Sequence, residues 1–342
     1  MAKLKYLLAY IIPLTVFMGL YFGGWYAWST IWFAFIFIPI LELFVKAPDS
    51  NFTQEQEKQL MDDPYYDILL YLNLPILYGS IAYLIYILQV RDLELYEHIG
   101  MTLSVGILGG TLGINVAHEL GHKESRFAQF ISKCMLLPTL YMHFFIEHNR
   151  GHHKYVATKE DPATAIKGET IYSFFIRSTI MSYLQAWKLE HIRLSKFGKS
   201  FTSLSNAMIQ YTILQLSYVS LLYYFFGLKA CITLILVAIV SFLLLEAVNY
   251  IEHYGLMRNK NPDGTYQRVS IEHSWNSNHE LGRIFLYELT RHSDHHYNSL
   301  RPYQVLRHHN NSPQLPYGYP MSILIALIPS LWFKLIHKEL NK

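Results

Sequence analysis

An all-α integral-membrane fold is predicted, with six transmembrane helices and a cytoplasmic histidine-rich cap. Three observations predict it. The 342-residue chain is 52% hydrophobic and only 15% charged, where a soluble domain carries about 25%. Six apolar stretches approach the roughly 20 residues needed to cross a hydrocarbon core. Histidine occurs 17 times, mostly between His118 and His309.

The stretches are residues 6–24, 26–45, 66–88, 98–117, 208–226 and 230–251. No linker-like segment separates them, so residues 1–342 read as one domain, with segments 118–207 and 252–342 forming the cap. Met1-Ala-Lys-Leu-Lys5 resembles the start of a secretory signal, but no A-x-A-like site follows and a second span comes at once; it reads as a retained anchor. Six crossings put both termini on one side. If that side is cytoplasmic, the outward loops carry only Arg91 and Lys229, the basic bias expected of an inner face. Residues 127–146 are interrupted by Lys133, Pro138 and His143 and read as a shallow or re-entrant segment, with a seventh crossing as the rival. Residues 171–194 read as an interfacial amphipathic helix. Residues 319–336, split by Pro329, are expected to lie against the membrane face.

Cys134 and Cys231 are the only cysteines, which excludes a disulfide framework and a cysteine-built zinc or iron–sulfur site. A metal must find other ligands. Four boxes offer them: His118-Glu-Leu-Gly-His122, Glu147-His148-Asn-Arg-Gly-His152-His153, Asn249-Tyr-Ile-Glu252-His253-Tyr254 and Arg291-His292-Ser-Asp294-His295-His296. Spacings of three and four place imidazoles on one helical face, and the fourth and sixth spans end at His118 and His253 on the same side. Nine histidines therefore converge: His118, His122, His148, His152, His153, His253, His292, His295 and His296. Imidazole suits iron, zinc or copper, and nine ligands fit two ions better than one. Glu119, Glu147, Glu252 and Asp294 stand beside the ligands, where a carboxylate commonly accepts the outer ring N–H.

The remaining histidines, His98, His143, His191, His273, His279, His308, His309 and His337, read as ordinary satisfied or interfacial residues. Lys123, Arg150 and Lys154 are candidates for docking an acidic partner protein, although the inward basic bias alone would place them there. A zinc protease could use His118-Glu119-x-x-His122 with Asp263 of Asn261-Pro-Asp263-Gly264, but Asp263 falls in a polar turn and seven histidines would be left without a role. A carboxylate di-iron bundle needs two Glu-x-x-His pairs; only Glu119-x-x-His122 fits. A metal transporter would place its ionisable groups at mid-membrane depth, where Glu246 is the notable one.

In this order and frame, the boxes resemble those of the integral-membrane alkane 1-monooxygenases, over nearly the whole chain. Three are shared more loosely with membrane desaturases and alkyl-aromatic hydroxylases, whereas Asn249-Tyr-Ile-Glu-His253-Tyr254-Gly255-Leu256 favours the alkane branch. The resemblance implies two iron ions held by the nine histidines, O2 as oxidant, and a medium-chain alkane taken from the bilayer and converted to a 1-alkanol. It also implies electrons from rubredoxin, itself reduced by rubredoxin reductase, and a place in the bacterial inner membrane with termini and metal site cytoplasmic. No nucleic acid is involved. A fused rubredoxin would need four cysteines. Xylene-type hydroxylation and fatty acyl desaturation remain the alternatives, because ligand spacing does not separate reactions that begin with the same hydrogen abstraction.

Overall fold

The structure is a computed structural model describing residues 2–45 and 49–341, within which every regular element is helical. Five helices are long and apolar enough to cross a membrane: α1 (Lys3–Phe22), α2 (Gly24–Glu42), α3 (Tyr65–Val90), α4 (Leu95–His122) and the 47-residue Ala207–His253. Before the last come α5 (Arg126–Leu136) and α6 (Ile171–Lys196), which makes Ala207–His253 α7; α8 (His292–Tyr297), α9 (Tyr319–Ala326) and α10 (Pro329–Leu340) follow.

Helix α7 is not one rod. Gly227 has φ 79° and ψ 179°, a conformation open to glycine for want of a Cβ. Cys231 Sγ lies 3.8 Å from the Val219 carbonyl oxygen, although twelve residues of unbroken helix would hold them roughly 18 Å apart. The chain therefore reverses, and arms 207–226 and 228–253 run side by side. This turn sits with those that follow α1 and α3: Gln89 donates to the Phe226 carbonyl at 2.9 Å, Arg91 to those of Leu20 and Tyr21, and His98 Nε2 lies 2.8 Å from Thr233 Oγ1. Exposed Tyr21, Trp25, Tyr96, Tyr224 and Phe225 surround this end, the aromatic belt expected at a bilayer interface.

The histidine boxes occupy the opposite end, as do the segments around Lys5 and His337. Lys5 Nζ and Tyr6 Oη donate to Glu288 Oε1 at 2.7 and 2.8 Å, and His337 Nε2 lies 2.9 Å from Tyr254 Oη.

Depth is matched across α4 and the second arm of α7 by small residues. A Cβ on Gly109 would overlap Ser241 Oγ, and one on Gly106 would meet Val240; Ser241 Oγ instead donates to the Gly106 carbonyl at 3.0 Å. Close backbone approach of this kind is how small residues join membrane helices, and here it brings His118 and His253 to one level. Gly109→Val is expected to destabilise the protein by about 1–3 kcal/mol through overpacking and to lower metal content, read by thermal melting in detergent and by metal analysis.

The segment 127–146 contains α5, whose 11 residues span only about 16 Å. The helix ends at Leu136, a left-handed Leu140 (φ 52°) follows in the turn after it, and Ser132 ties the helix back to the Ala117 carbonyl of α4 at 2.6 Å. Helix α6 buries Phe174, Ser178, Ser182, Ala186 and Glu190 along one stripe and exposes Ile176, Ile180 and Leu184, the three- and four-residue rhythm of an amphipathic helix. Helix α10 buries Trp332 and Ile336, its indole packed on Tyr250 and Tyr254.

Candidate metal centre

The nine predicted histidines fall into two groups whose ligand atoms all lie within 4.8 Å of one another. One holds His118, His122, His148, His153 and His295; the other holds His152, His253, His292 and His296. Within the first, His122, His148 and His153 form a triangle of Nε2 atoms with sides of 3.1, 3.1 and 2.9 Å, and His118 Nε2 is 2.9 Å from His295 Nε2. In the second, His152–His296 and His253–His292 each stand 3.1 Å apart at Nε2.

Hydrogen bonding does not account for the triangle. A neutral ring nitrogen carries one proton or one lone pair in its own plane, so three of them cannot all pair with one another. A cation at the centre satisfies them together. Two imidazole nitrogens bound at right angles at about 2.1 Å would be about 3 Å apart, which matches the spacings in both groups.

Protonation agrees with this. Of the ligands outside the spanning helices, burial holds His148, His153, His292, His295 and His296 well below the ordinary imidazole range, and neighbouring imidazoles add to the effect. They are neutral at pH 7, the form that binds metal.

Helix type sorts the ligands. In α4, His118 and His122 are four apart and share a group, as do His292 and His296 in α8. Residues His148–His152 instead form a π turn. Its wider winding puts His148 with His153, five apart, and sends His152 to the other group. Three- and four-residue spacing thus misassigns the pairs 148/152 and 292/295, because the first lies on a π turn and the second spans only part of an α turn. Left-handed non-glycine residues flank the boxes: Leu140, Ala157, Tyr287 and Glu288. Such conformations persist where the surroundings enforce them.

The four neighbouring carboxylates part company. Glu252 Oε2 lies 3.2 Å from His292 Nε2, the nitrogen facing the group, and its other oxygen accepts from Tyr319 Oη. Glu119 Oε1 accepts from the Tyr303 amide at 3.1 Å and so anchors the chain after α8. Glu147 is buried beside Gly151. Asp294 turns to Arg301, the Arg307 amide and His309 Nε2, at 3.1, 2.9 and 2.7 Å. The carboxylate found on the outer nitrogen of a ligand is Asp161, whose Oδ2 is 3.0 Å from His152 Nδ1 and also accepts from Thr164 Oγ1 at 2.6 Å. Sequence proximity does not reveal it, because Asp161 lies nine residues past His152, beyond the left-handed Ala157. Asp161→Asn should weaken metal binding roughly 10–100-fold, and Asp294→Asn much less; metal titration of both variants checks this.

Of the docking candidates, Lys123 pairs with Asp67 at 2.6 Å and Arg150 with Glu190 at 3.1 Å, while Lys154 lies over the Tyr155 ring. Asp263, required by the protease reading, accepts from Thr265 in an exposed turn, and neither histidine group includes it.

A helical bundle carrying two histidine clusters at the ends of its apolar helices defines a histidine-rich membrane metalloenzyme. Consistent with that class, the fatty acid desaturase family model matches residues 96–324. Among similar proteins, an alkane 1-monooxygenase of Alcanivorax borkumensis is 38% identical over 98% of this chain and 86% of its own length. Another, of Acinetobacter baylyi, is 41% identical over 89% and 74%. A xylene/toluene monooxygenase hydroxylase component of Pseudomonas putida is 30% identical over 99% and 89%. The chain belongs to the alkane 1-monooxygenase family, within the wider fatty acid desaturase family. It is an oxidoreductase of the monooxygenase kind.

Proposed function

We propose that the protein hydroxylates the terminal methyl of medium-chain alkanes, using O2 and electrons from rubredoxin, with one iron in each histidine group. The observation that carries the substrate class is an apolar cavity among α2, α4, α7 and α9, lined by Ile107, Leu244, Val248, Phe285 and Ile323. Glu252 and Tyr319 are among its few polar lining residues, and Glu252 in turn stands at His292. A hydrocarbon dissolved in lipid fits such a chamber, and an ionised or strongly polar substrate would be poorly solvated in it.

When bound, the irons supply the redox chemistry that reduces O2. The chain's own residues hold the imidazoles neutral and fixed, exclude water from the apolar chamber and aim its end at the four-histidine group. Electrons enter most directly at the five-histidine group, whose His122 lines a surface pocket with Lys123, Glu124 and Arg301; His122 and His153 are its half-buried members.

Six crossings follow when the two arms of α7 are counted separately. The basic bias then puts the histidine end and both termini in the cytoplasm of a bacterium, with Arg91 and Lys229 at the far end. The alkyl-aromatic reading has support in the xylene/toluene relative, whose identity of 30% is below the 38% and 41% of the alkane relatives just named. Purified protein supplied with reduced rubredoxin and O2 is expected to convert octane to 1-octanol in preference to xylene or a fatty acyl thioester. Iron-loaded protein that oxidises only xylene or the thioester would overturn the assignment.

A further inference from the structure

A second cavity reaches the histidines. It is small, enclosed and polar, lined by Tyr141, His143, Glu147, Ser182, Glu246 and Asn249, and it touches His148 of one group and His152 of the other. Glu147 Oε1, Glu246 Oε2 and His143 Nε2 are buried with no hydrogen-bond partner among the described residues, and none of the three residues is more than 5% exposed. Unpaired polar atoms in a dry interior are strongly unfavourable, and the space admits about one water molecule, which needs two to four such partners. His143, ordinary by sequence, belongs to this cluster.

Tyr141 and His143 are shared with a surface pocket whose other walls, Leu140, Thr179, Ile180, Tyr183, Leu184 and Phe242, are mostly apolar. At the join, Tyr141 Oη donates to Glu246 Oε1 at 2.8 Å, which leaves Oε2 for the cavity. Ser178 and Asn249 also lie beside the Glu246 carboxyl.

We propose that this polar cavity is the proton inlet of the two histidine groups, with Glu246 and the water it holds passing protons to oxygen there. The inference rests on the monooxygenase reading. That reaction, RH + O2 + 2 e− + 2 H+ → ROH + H2O, inserts one oxygen atom into a C–H bond and releases the other as water. A one-electron carrier supplies the two electrons in turn, and solvent supplies the protons. The apolar cavity conducts no protons and the surface pocket at His122 touches only the five-histidine group, whereas the polar cavity touches His148 of one group and His152 of the other. Glu246 acts through water and touches no substrate.

The test uses metal-loaded full-length Glu246→Gln, Glu246→Asp and Tyr141→Phe. Glu246→Gln is expected to keep its metal, lose turnover roughly 10²-fold, divert O2 to hydrogen peroxide and change the solvent deuterium isotope effect; Glu246→Asp should recover part of each. A high-resolution experimental map should show water on Glu246 Oε2. A dry cavity, or a loaded Glu246→Gln with unchanged turnover and isotope effect, overturns the inlet. If Glu246→Gln loses metal, Tyr141→Phe decides: a slowed, isotope-sensitive enzyme supports the inlet, whereas unchanged kinetics or loss of metal here too makes the pair a structural clamp. Failure of the unsubstituted protein to hydroxylate any hydrocarbon would instead remove the monooxygenase reading itself.

Discussion

With one iron in each histidine group, as proposed, alanine at His153 is expected to lower iron from about two per chain to about one and to abolish alkanol formation, and alanine at His296 to do the same from the other side. The two variants separate because His153 belongs to the five-histidine group and His296 to the four-histidine group. Each substitution removes a neutral imidazole from a closed constellation, so the loss should exceed the roughly 10–100-fold typical of an outer partner. His153→Ala with His296→Ala should empty both sites. Metal analysis with octane turnover checks all three, and a double variant that keeps full metal would refute the two-group arrangement.

Glu288→Ala should destabilise the protein by about 3–5 kcal/mol, the scale for breaking a buried ion pair by removing one partner. Glu288 joins the chain's start to the fourth box. It accepts from Lys5 and Tyr6 through Oε1 and from Arg283 Nε at 2.6 Å through Oε2. Burial alone would raise its carboxyl, but attraction to Arg283 and Lys5, the Arg283 hydrogen bond and nearby Arg291 outweigh this and bring it down to about 2. The folded state therefore binds fewer protons than the unfolded one. The contribution is fully present above the ordinary glutamate value of 4.5 and is lost as pH falls through about 2. Melting of metal-free protein in detergent should show a wide gap between unsubstituted and variant protein at pH 7 that narrows below pH 4. A gap that persists at low pH would mean that packing dominates over the ion pair.

Much of the membrane frame was legible because hydrophobic length is a one-dimensional property. Stretches 6–24, 26–45, 66–88 and 98–117 correspond to α1 to α4, and stretches 208–226 and 230–251 lie on the two arms of α7. Less legible was helix type. Nothing in His148-Asn-Arg-Gly-His152-His153 announces a π turn, since the extra residue per turn is imposed by what the segment packs against. Asp161 was hidden because a ligand's outer partner need only be near in space, and His143 because a lone histidine on an apolar stretch carries no signal of what faces it.

Residue types and spacings alone determined that this chain is apolar, rich in imidazole and poor in cysteine, with four boxes able to hold metal at one end of its helices. Tertiary structure decided which imidazole joins which group, that Asp161 rather than Asp294 supports a ligand, and that one cavity is apolar while the other is polar. Sequence carries chemical identity and local period. Partition and access depend on how α4 approaches α7 through its own glycines and on how Gly227 and the π turn redirect the chain, and those are properties of packing.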